Sequence, residues 1–295
     1  MNKKNVAVIG LGSMGFGMAL SLLRAGHSVY GIDMNPQAVE RFKAQGGAAE
    51  PIKEIDILVI VVLNAEQTQA VLFGPQGWAN KLKEGATVIA CATVSPSFAK
   101  DMQERCLEQK LHYLDAPISG GAQKAANGTL SIMASGSENA FNGARPALDA
   151  MSETVFELGD SAGPASAMKA INQLLAGVHI AAMAEAVTFG MTQGIDPAKT
   201  VEVISKCAGT SWMFENRAPH IVEGDYRPRS SVDIWPKDLG IVLDIARTAK
   251  FSAPLTAAAL QQFMAASGSG LGAEDDAAVA KVYARNAGLT LPGDE

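Results

Sequence analysis

The feature that most restricts what this chain can become is a glycine turn set between a strand and a helix. Residues 5–10, Asn-Val-Ala-Val-Ile-Gly, are a short β-branched run that ends on glycine. Gly10-Leu11-Gly12-Ser13-Met14-Gly15 follows as a G-x-G-x-x-G pattern, and residues 13–25 carry apolar side chains at helical spacing up to Gly26. Alone the pattern is an ordinary glycine turn; between a strand and a helix each glycine has a task. Gly10 permits the tight turn, Gly12 lets a pyrophosphate approach the backbone, and Gly15 lets the helix lie close to the strand. The N–H groups opening the helix, and the positive end of its dipole, then face the phosphates.

Asp33 ends the next strand-like run, Ser28 to Ile32, 18 residues beyond Gly15. A carboxylate there accepts hydrogen bonds from both ribose hydroxyls of an adenosine and repels a 2′-phosphate, which predicts NAD over NADP. The competing reading is a turn or cap aspartate, because Asp33-Met-Asn-Pro also resembles a helix start.

The alternation continues. Ile57–Val62 and Ala86–Cys91 are continuous apolar runs, as expected of parallel strands buried on both faces. Thr129–Met133 and Thr154–Leu158 read as further strands, with helical stretches near 36–45, 66–72, 96–109 and 138–150. The expected fold class is α/β: a Rossmann-type parallel sheet with helices on both faces, followed by an all-α domain. The change comes near Gly159-Asp160-Ser161-Ala162-Gly163-Pro164. Beyond it, 165–193 predicts one long helix of about 42 Å at 1.5 Å per residue. Further helices are expected at 197–208, 213–222, 236–249, 254–267 and 275–286, and a loose tail from Leu291. The domains are therefore 1–162, dinucleotide-binding, and 163–295, for substrate and subunit contacts.

Composition excludes several function classes. The net charge is −6, and 1–162 and 163–295 each carry three more acidic than basic groups. No basic lobe is available for nucleic acid or for an anionic membrane. The apolar runs look too short to span a bilayer, and Met1-Asn2-Lys3-Lys4 opens directly into a strand with no signal-peptide core. Three widely separated cysteines, Cys91, Cys106 and Cys207, suit buried thiols in a reducing cytoplasm. The four scattered histidines and these cysteines have no zinc spacing, so no metal site is expected.

Three further segments carry chemistry. Ser119-Gly120-Gly121 offers one hydroxyl and two accessible backbone N–H groups, a cradle suited to a carboxylate; a flexible turn before the next strand is the competing reading. Lys169 lies in the long helix among Ala167, Met168, Ala170 and Ile171, with Asn172 one turn later. An apolar setting lowers a lysine pKa, as a proton carrier requires; from local sequence alone, a surface lysine is the simpler account. Trp235-Pro-Lys237-Asp238-Leu-Gly240 opens another helix, where a helix cap plus one surface lysine is the alternative.

Together these segments resemble the β-hydroxyacid dehydrogenase family, relatives of 3-hydroxyisobutyrate, tartronate-semialdehyde and 6-phosphogluconate dehydrogenases. The resemblance covers nearly the whole chain through Val8–Gly15, Asp115–Gly121 with Gly128-Thr-Leu130, Gly163–Asn172 and Lys237–Gly240, in that order. It implies that Lys169 is catalytic and that Ser119, Gly120, Gly121 and Asn172 hold the substrate. It also implies that Thr93 and Lys237 lie at the nicotinamide end of NAD, although Ala92 stands where the family usually has serine. Within the family, Ser211–Arg217 and Asp233–Val242 are similar to members that oxidise the C2 hydroxyl of a four-carbon sugar acid. A 3-hydroxyisobutyrate dehydrogenase, a tartronate-semialdehyde reductase and a catalytically silent NAD-binding module remain open. The long helix is hard to cover within some 130 residues, so a homodimer or homotetramer is expected.

Overall fold

The structure, a computed structural model, describes residues 3–294 and divides into two compact units, one up to Lys169 and one from Ala170 onward. Met1, Asn2 and Glu295, on which parts of the expected opening and tail fall, lie outside the described residues.

The first unit alternates strand and helix: β1 (Asn5–Ile9), α1 (Gly15–Arg24), β2 (Ser28–Ile32), α2 (Pro36–Ala44), β3 (Ile57–Ile60), α3 (Ala65–Phe73), β4 (Thr87–Ala90), α4 (Pro96–Glu108) and β5 (His112–Asp115). The five strands form one parallel sheet in the order β2-β1-β3-β4-β5, with Val6 opposite both Val29 and Ile57. Every residue of β3 and β4 is buried, which is why these strands are unbroken apolar runs. Local caps start the helices: Asn35 accepts from Gln37 N, Asn64 from Gln67 N and Ser95 from Phe98 N. Strand order reverses between β1 and β3, where the carboxyl ends of the strands open a crevice for ligands.

The segments expected as later strands of the same sheet form a second one. β6 (Ile118–Ser119), α5 (Gly121–Asn127), β7 (Leu130–Ala134), α6 (Glu138–Met151) and β8 (Ser152–Glu157) follow β5. β7 is the centre of this sheet, antiparallel to β6 and parallel to β8. Gly120 and Gly121 take positive φ values of 134° and 75°, which turn the chain back after β6. β8 is largely exposed, as suits an edge strand and not the middle of a doubly covered sheet. Sequence patterning left α5 unassigned. Its backbone lies so close to α1 that a Cβ on Gly17 would come within 2.6 Å of Ala126 N.

The helix α7 (Pro164–Thr192) has 29 residues, close to the expected length. The second unit continues with α8 (Pro197–Ile204), α9 (Trp212–Glu223), α10 (Ile234–Thr248), α11 (Pro254–Ala266) and α12 (Ala280–Ala287). Its core gathers Ile180, Ala184 and Val187 of α7 with Phe214, Ile221, Leu239 and Phe263. Trp235 stacks on Phe263 at 5.5 Å between ring centroids. A Cβ on Gly177 would lie 2.8 Å from Leu239 and 2.9 Å from Trp235, so this mid-helix glycine lets α7 and α10 approach closely.

Three expectations are corrected. By length and composition α7 is apolar enough to cross a membrane: its most apolar 18-residue window has a mean hydropathy of 1.5, and half of that window is buried. Cys91 and Cys106 are buried, but Cys207 is exposed. The tail is not loose at its start, since Leu291 is buried and Asp294 pairs with Lys281 at 3.0 Å.

Candidate active site

The glycine turn separates three tasks by geometry. Gly10 has φ of 96°, and a Cβ there would sit 2.0 Å from Val61 O at the end of β3. A Cβ on Gly15 would sit 1.8 Å from Gly10 O, so α1 can begin this close to β1 only with hydrogen at that position. A Cβ on Gly12 would meet nothing within 4 Å. The close contacts are therefore internal at Gly10 and Gly15, while Gly12 opens outward. Met14 caps α1 without a side-chain hydrogen bond, and the first turn holds no acidic residue. A helix N-terminus in that state favours an anion.

A cavity of about 450 Å³ adjoins this turn, lined among others by Leu11, Gly12, Ser13, Asp33, Asn35 and Arg41. Asp33 Oδ2 accepts from Leu11 N at 2.6 Å and Oδ1 accepts from Asn35 N at 2.8 Å. The turn reading of Asp33 is thus correct as far as it goes. Each carboxylate oxygen keeps a further acceptor site, now fixed in direction, for a ribose hydroxyl. Arg41 lies 4.2 Å over the Phe16 ring and supplies a cation to the same cavity. Sequence reading missed Phe16, Asn35 and Arg41, because only the fold brings α1 and α2 side chains to one hollow. The uncapped helix, the open Gly12 and the oriented carboxylate fit a dinucleotide.

At the carboxyl edge of the sheet, β5 ends on Asp115, which is 1% exposed. Burial pushes its carboxyl group up, and this outweighs the opposing hydrogen bonds from Ser166, Gly163 and Ser135. Ile118 and Ser119 follow on β6, and Gly121 opens α5 with no neighbour within 4 Å of its Cβ direction. Lys169 is only 8% exposed, and its Nζ donates to Ile118 O at 3.0 Å. Lys169 and Ser119 are therefore brought to the same short stretch of chain. Thr93 lies half-buried in the loop between β4 and α4, also beyond a strand's carboxyl end.

In the second unit a chain of hydrogen bonds connects two candidates. Asn172 Nδ2 donates to Gln173 Oε1 at 2.9 Å, and Gln173 Nε2 donates to Asp238 Oδ2 at 2.5 Å. Lys237 Nζ donates to the other oxygen of Asp238. Asp238 is 2% exposed inside α10, so it is a buried linker and not a helix cap. Gln173 was not singled out from sequence; its signal is a polar side chain four residues after Lys169 in an apolar helix. Among the described residues no group of three or more His, Cys, Asp or Glu could hold a metal ion.

Residues 5–159 match the family model described as the NAD binding domain of 6-phosphogluconate dehydrogenase. Residues 163–283 match the one described as NAD-binding of NADP-dependent 3-hydroxyisobutyrate dehydrogenase. The chain is 51% identical to the L-threonate dehydrogenase of Cupriavidus necator, over 98% of each chain. It is 47% identical to the L-threonate dehydrogenase of Pectobacterium atrosepticum, covering 97% of this chain and 95% of that protein. The crystal structure of a 3-hydroxyisobutyrate dehydrogenase from Salmonella typhimurium superposes with a TM-score of 0.90 at 46% identity, over 95% of this chain and 100% of that one.

Proposed function

The chain belongs to the β-hydroxyacid dehydrogenase family, and we propose that it oxidises the C2 hydroxyl of L-threonate to 2-oxo-tetronate, with NAD preferred over NADP. The observation that carries the chemistry is a buried lysine, Lys169, bonded at Nζ to the carbonyl beside Ser119. The choice of substrate is supported by the likeness to L-threonate dehydrogenases over almost the full chain.

Ser119 and the backbone N–H groups of Gly120 and Gly121 bind the substrate carboxylate. Asn172 orients the hydroxyl, limiting the poses from which reaction begins. Lys169, neutral when substrate binds, accepts the hydroxyl proton at Nζ. A bound nicotinamide would supply the hydride acceptor for C2. The two transfers are coupled, because an alcohol that lost hydride and kept its proton would carry a costly positive charge on oxygen. In the reverse direction protonated Lys169 is the general acid. Thr93 and Lys237 serve the nicotinamide end, and Gly10–Gly15 with Asp33 serve the pyrophosphate and adenosine ribose.

Residues 1–162 carry the cofactor and 163–295 the remaining substrate and subunit contacts. The protein works in the cytoplasm as a homodimer or homotetramer, with no nucleic-acid or membrane partner. Ile171, Leu175 and Phe189 of α7 are 54%, 49% and 64% exposed, an apolar face suited to a second copy of the chain. A monomeric sedimentation mass at micromolar concentration contradicts that assembly.

A panel of L-threonate, D-threonate, 3-hydroxyisobutyrate, glycerate and 6-phosphogluconate, each with NAD and NADP, tests the reading. L-threonate with NAD should give the highest kcat/KM. The second reading, a 3-hydroxyisobutyrate dehydrogenase, is favoured by the likeness to the Salmonella typhimurium 3-hydroxyisobutyrate dehydrogenase and wins if that acid leads the panel.

A further inference from the structure

We infer that Asp115 is a positioning residue for Lys169: its carboxylate ties the helix bearing the lysine to the chain segment bearing Ser119–Gly121. The inference rests on the reading of Lys169 as proton acceptor.

Asp115 Oδ2 accepts from Gly163 N at 3.0 Å and Ser166 N at 2.9 Å, and Oδ1 accepts from Ser166 Oγ at 2.7 Å. Ser135, joined to Asp115 by backbone bonds of 3.0 and 2.9 Å in both directions, accepts from Ala165 N at 3.0 Å through its Oγ. The N–H groups opening α7, which no intrahelical carbonyl can satisfy, are thus taken up. An ordinary cap comes from the residue next to its helix. This one comes from 48 and 51 residues earlier in the chain, so it joins two distant segments as well as ending a helix.

From that junction two short arms leave and meet again. Along the chain from Asp115, the third residue is Ile118, whose carbonyl oxygen accepts from Lys169 Nζ at 3.0 Å. Along α7 from Ser166, the third residue is Lys169, one turn on. The closed circuit Asp115–Ser166–Lys169–Ile118 sets where Nζ stands relative to Ser119. It also commits one nitrogen-bound hydrogen to a carbonyl, which restricts the direction of the lone pair when the amine is neutral.

A carboxylate suits the junction because donors converge on it, with Ser135 Oγ as a fourth at 3.5 Å. A carboxylate offers acceptors only; an amide of the same shape would turn an NH₂ group against one of those donors.

The test compares Asp115→Asn and Ser166→Ala with Lys169→Ala in the full chain. L-threonate is the substrate, or 3-hydroxyisobutyrate if that is turned over faster. The readouts are NADH affinity by fluorescence titration, kcat and KM, and the isotope effect of deuterium at the oxidised carbon. Asp115→Asn should lower kcat roughly 10- to 100-fold, the scale of a misplaced reacting group. NADH affinity should stay within about twofold, since the glycine turn is untouched, and the isotope effect should rise as hydride transfer slows. Ser166→Ala keeps both backbone bonds to Asp115 and should lower kcat several-fold in the same way. A purely structural Asp115 would lower Tm and leave kcat per NADH-binding site unchanged, and that result overturns the inference. So does a loss confined to NADH affinity. If Asp115→Asn does not fold, an unchanged kcat in Ser166→Ala overturns it. If Lys169→Ala keeps its turnover, the lysine reading fails and the positioning role falls with it. If Lys169→Ala is inactive while both other variants turn over normally, only the positioning role fails.

Discussion

Lys169 Nζ donates to the carbonyl oxygen of Ile118 at 3.0 Å, a contact between residues 51 apart in the chain. The bond ties the nitrogen to the chain segment that carries Ser119. Lys169→Met keeps most of the stem and removes the nitrogen. It should lower kcat/KM by about 10²- to 10⁴-fold, the usual contribution of a general base, while NADH affinity is kept. Lys169→Arg should fail to restore activity, because a guanidinium stays protonated. Steady-state rates and an NADH titration on the same preparations check both.

Gly12 and Gly15 should respond differently to the same added methyl group. On Gly15 it would sit 1.8 Å from Gly10 O, whereas on Gly12 it meets nothing within 4 Å. Gly15→Ala is expected to lose about 1–3 kcal/mol of stability through forced overpacking. Gly12→Ala should stay within about 0.5 kcal/mol of the parent. It should bind NADH roughly tenfold more weakly or worse, because its methyl group enters the path of the pyrophosphate. Thermal denaturation read beside an NADH titration separates the two variants.

At Asp33 the expected change is in cofactor choice. Asp33→Asn keeps an acceptor for Leu11 N, whose bond is 2.6 Å, and removes the charge that repels a 2′-phosphate. Arg41 remains in the cavity as a cation. The ratio of kcat/KM with NAD to that with NADP should fall by about tenfold or more. A ratio unchanged in the variant would assign Asp33 to the turn alone.

Acid sensitivity should trace in part to Asp275. Burial alone would push its carboxyl group up, but the bonds from His220 Nδ1 at 2.8 Å and from the Arg229 and Ala277 N–H groups hold it below its ordinary value. A carboxyl group lowered in the folded state adds stability that is complete above its unfolded value. That stability is lost as pH falls through the folded value. Asp275→Asn should therefore cost about 1–3 kcal/mol at neutral pH. The gap from the parent should narrow below about pH 4, where the unfolded carboxyl group takes up its proton. Urea denaturation at a series of pH values reads this directly.

Elements whose cause is local were legible in the sequence. The glycine turn, the apolar strands β3 and β4, and α7 all appear as short-range patterns, since burial on both faces or on one stripe dictates residue type at fixed spacing. What escaped depends on partners far along the chain. Gln173 gains a role only when α10 brings Asp238 to it, 65 residues away. His220 has Glu223 one turn on in its own helix, yet the carboxylate it bonds is Asp275, which arrives from 55 residues further on. The small second sheet was hidden for a different reason. β7 has the apolar content of a central strand, and only the turn at Gly120–Gly121 diverts it from the main sheet.

Gly17 seats α5 against α1, where any Cβ would strike the backbone of Ala125 and Ala126. The same α5 starts from the Gly120–Gly121 turn, and its Ala122 and Ala126 line the cavity beside the glycine turn. The turn proposed to choose the acid and the wall of the cavity proposed for the coenzyme are consequently one stiff piece of chain. For directed evolution this makes residues 119–121 a poor place to diversify. Libraries there should be dominated by variants that have lost coenzyme affinity before any new substrate is gained.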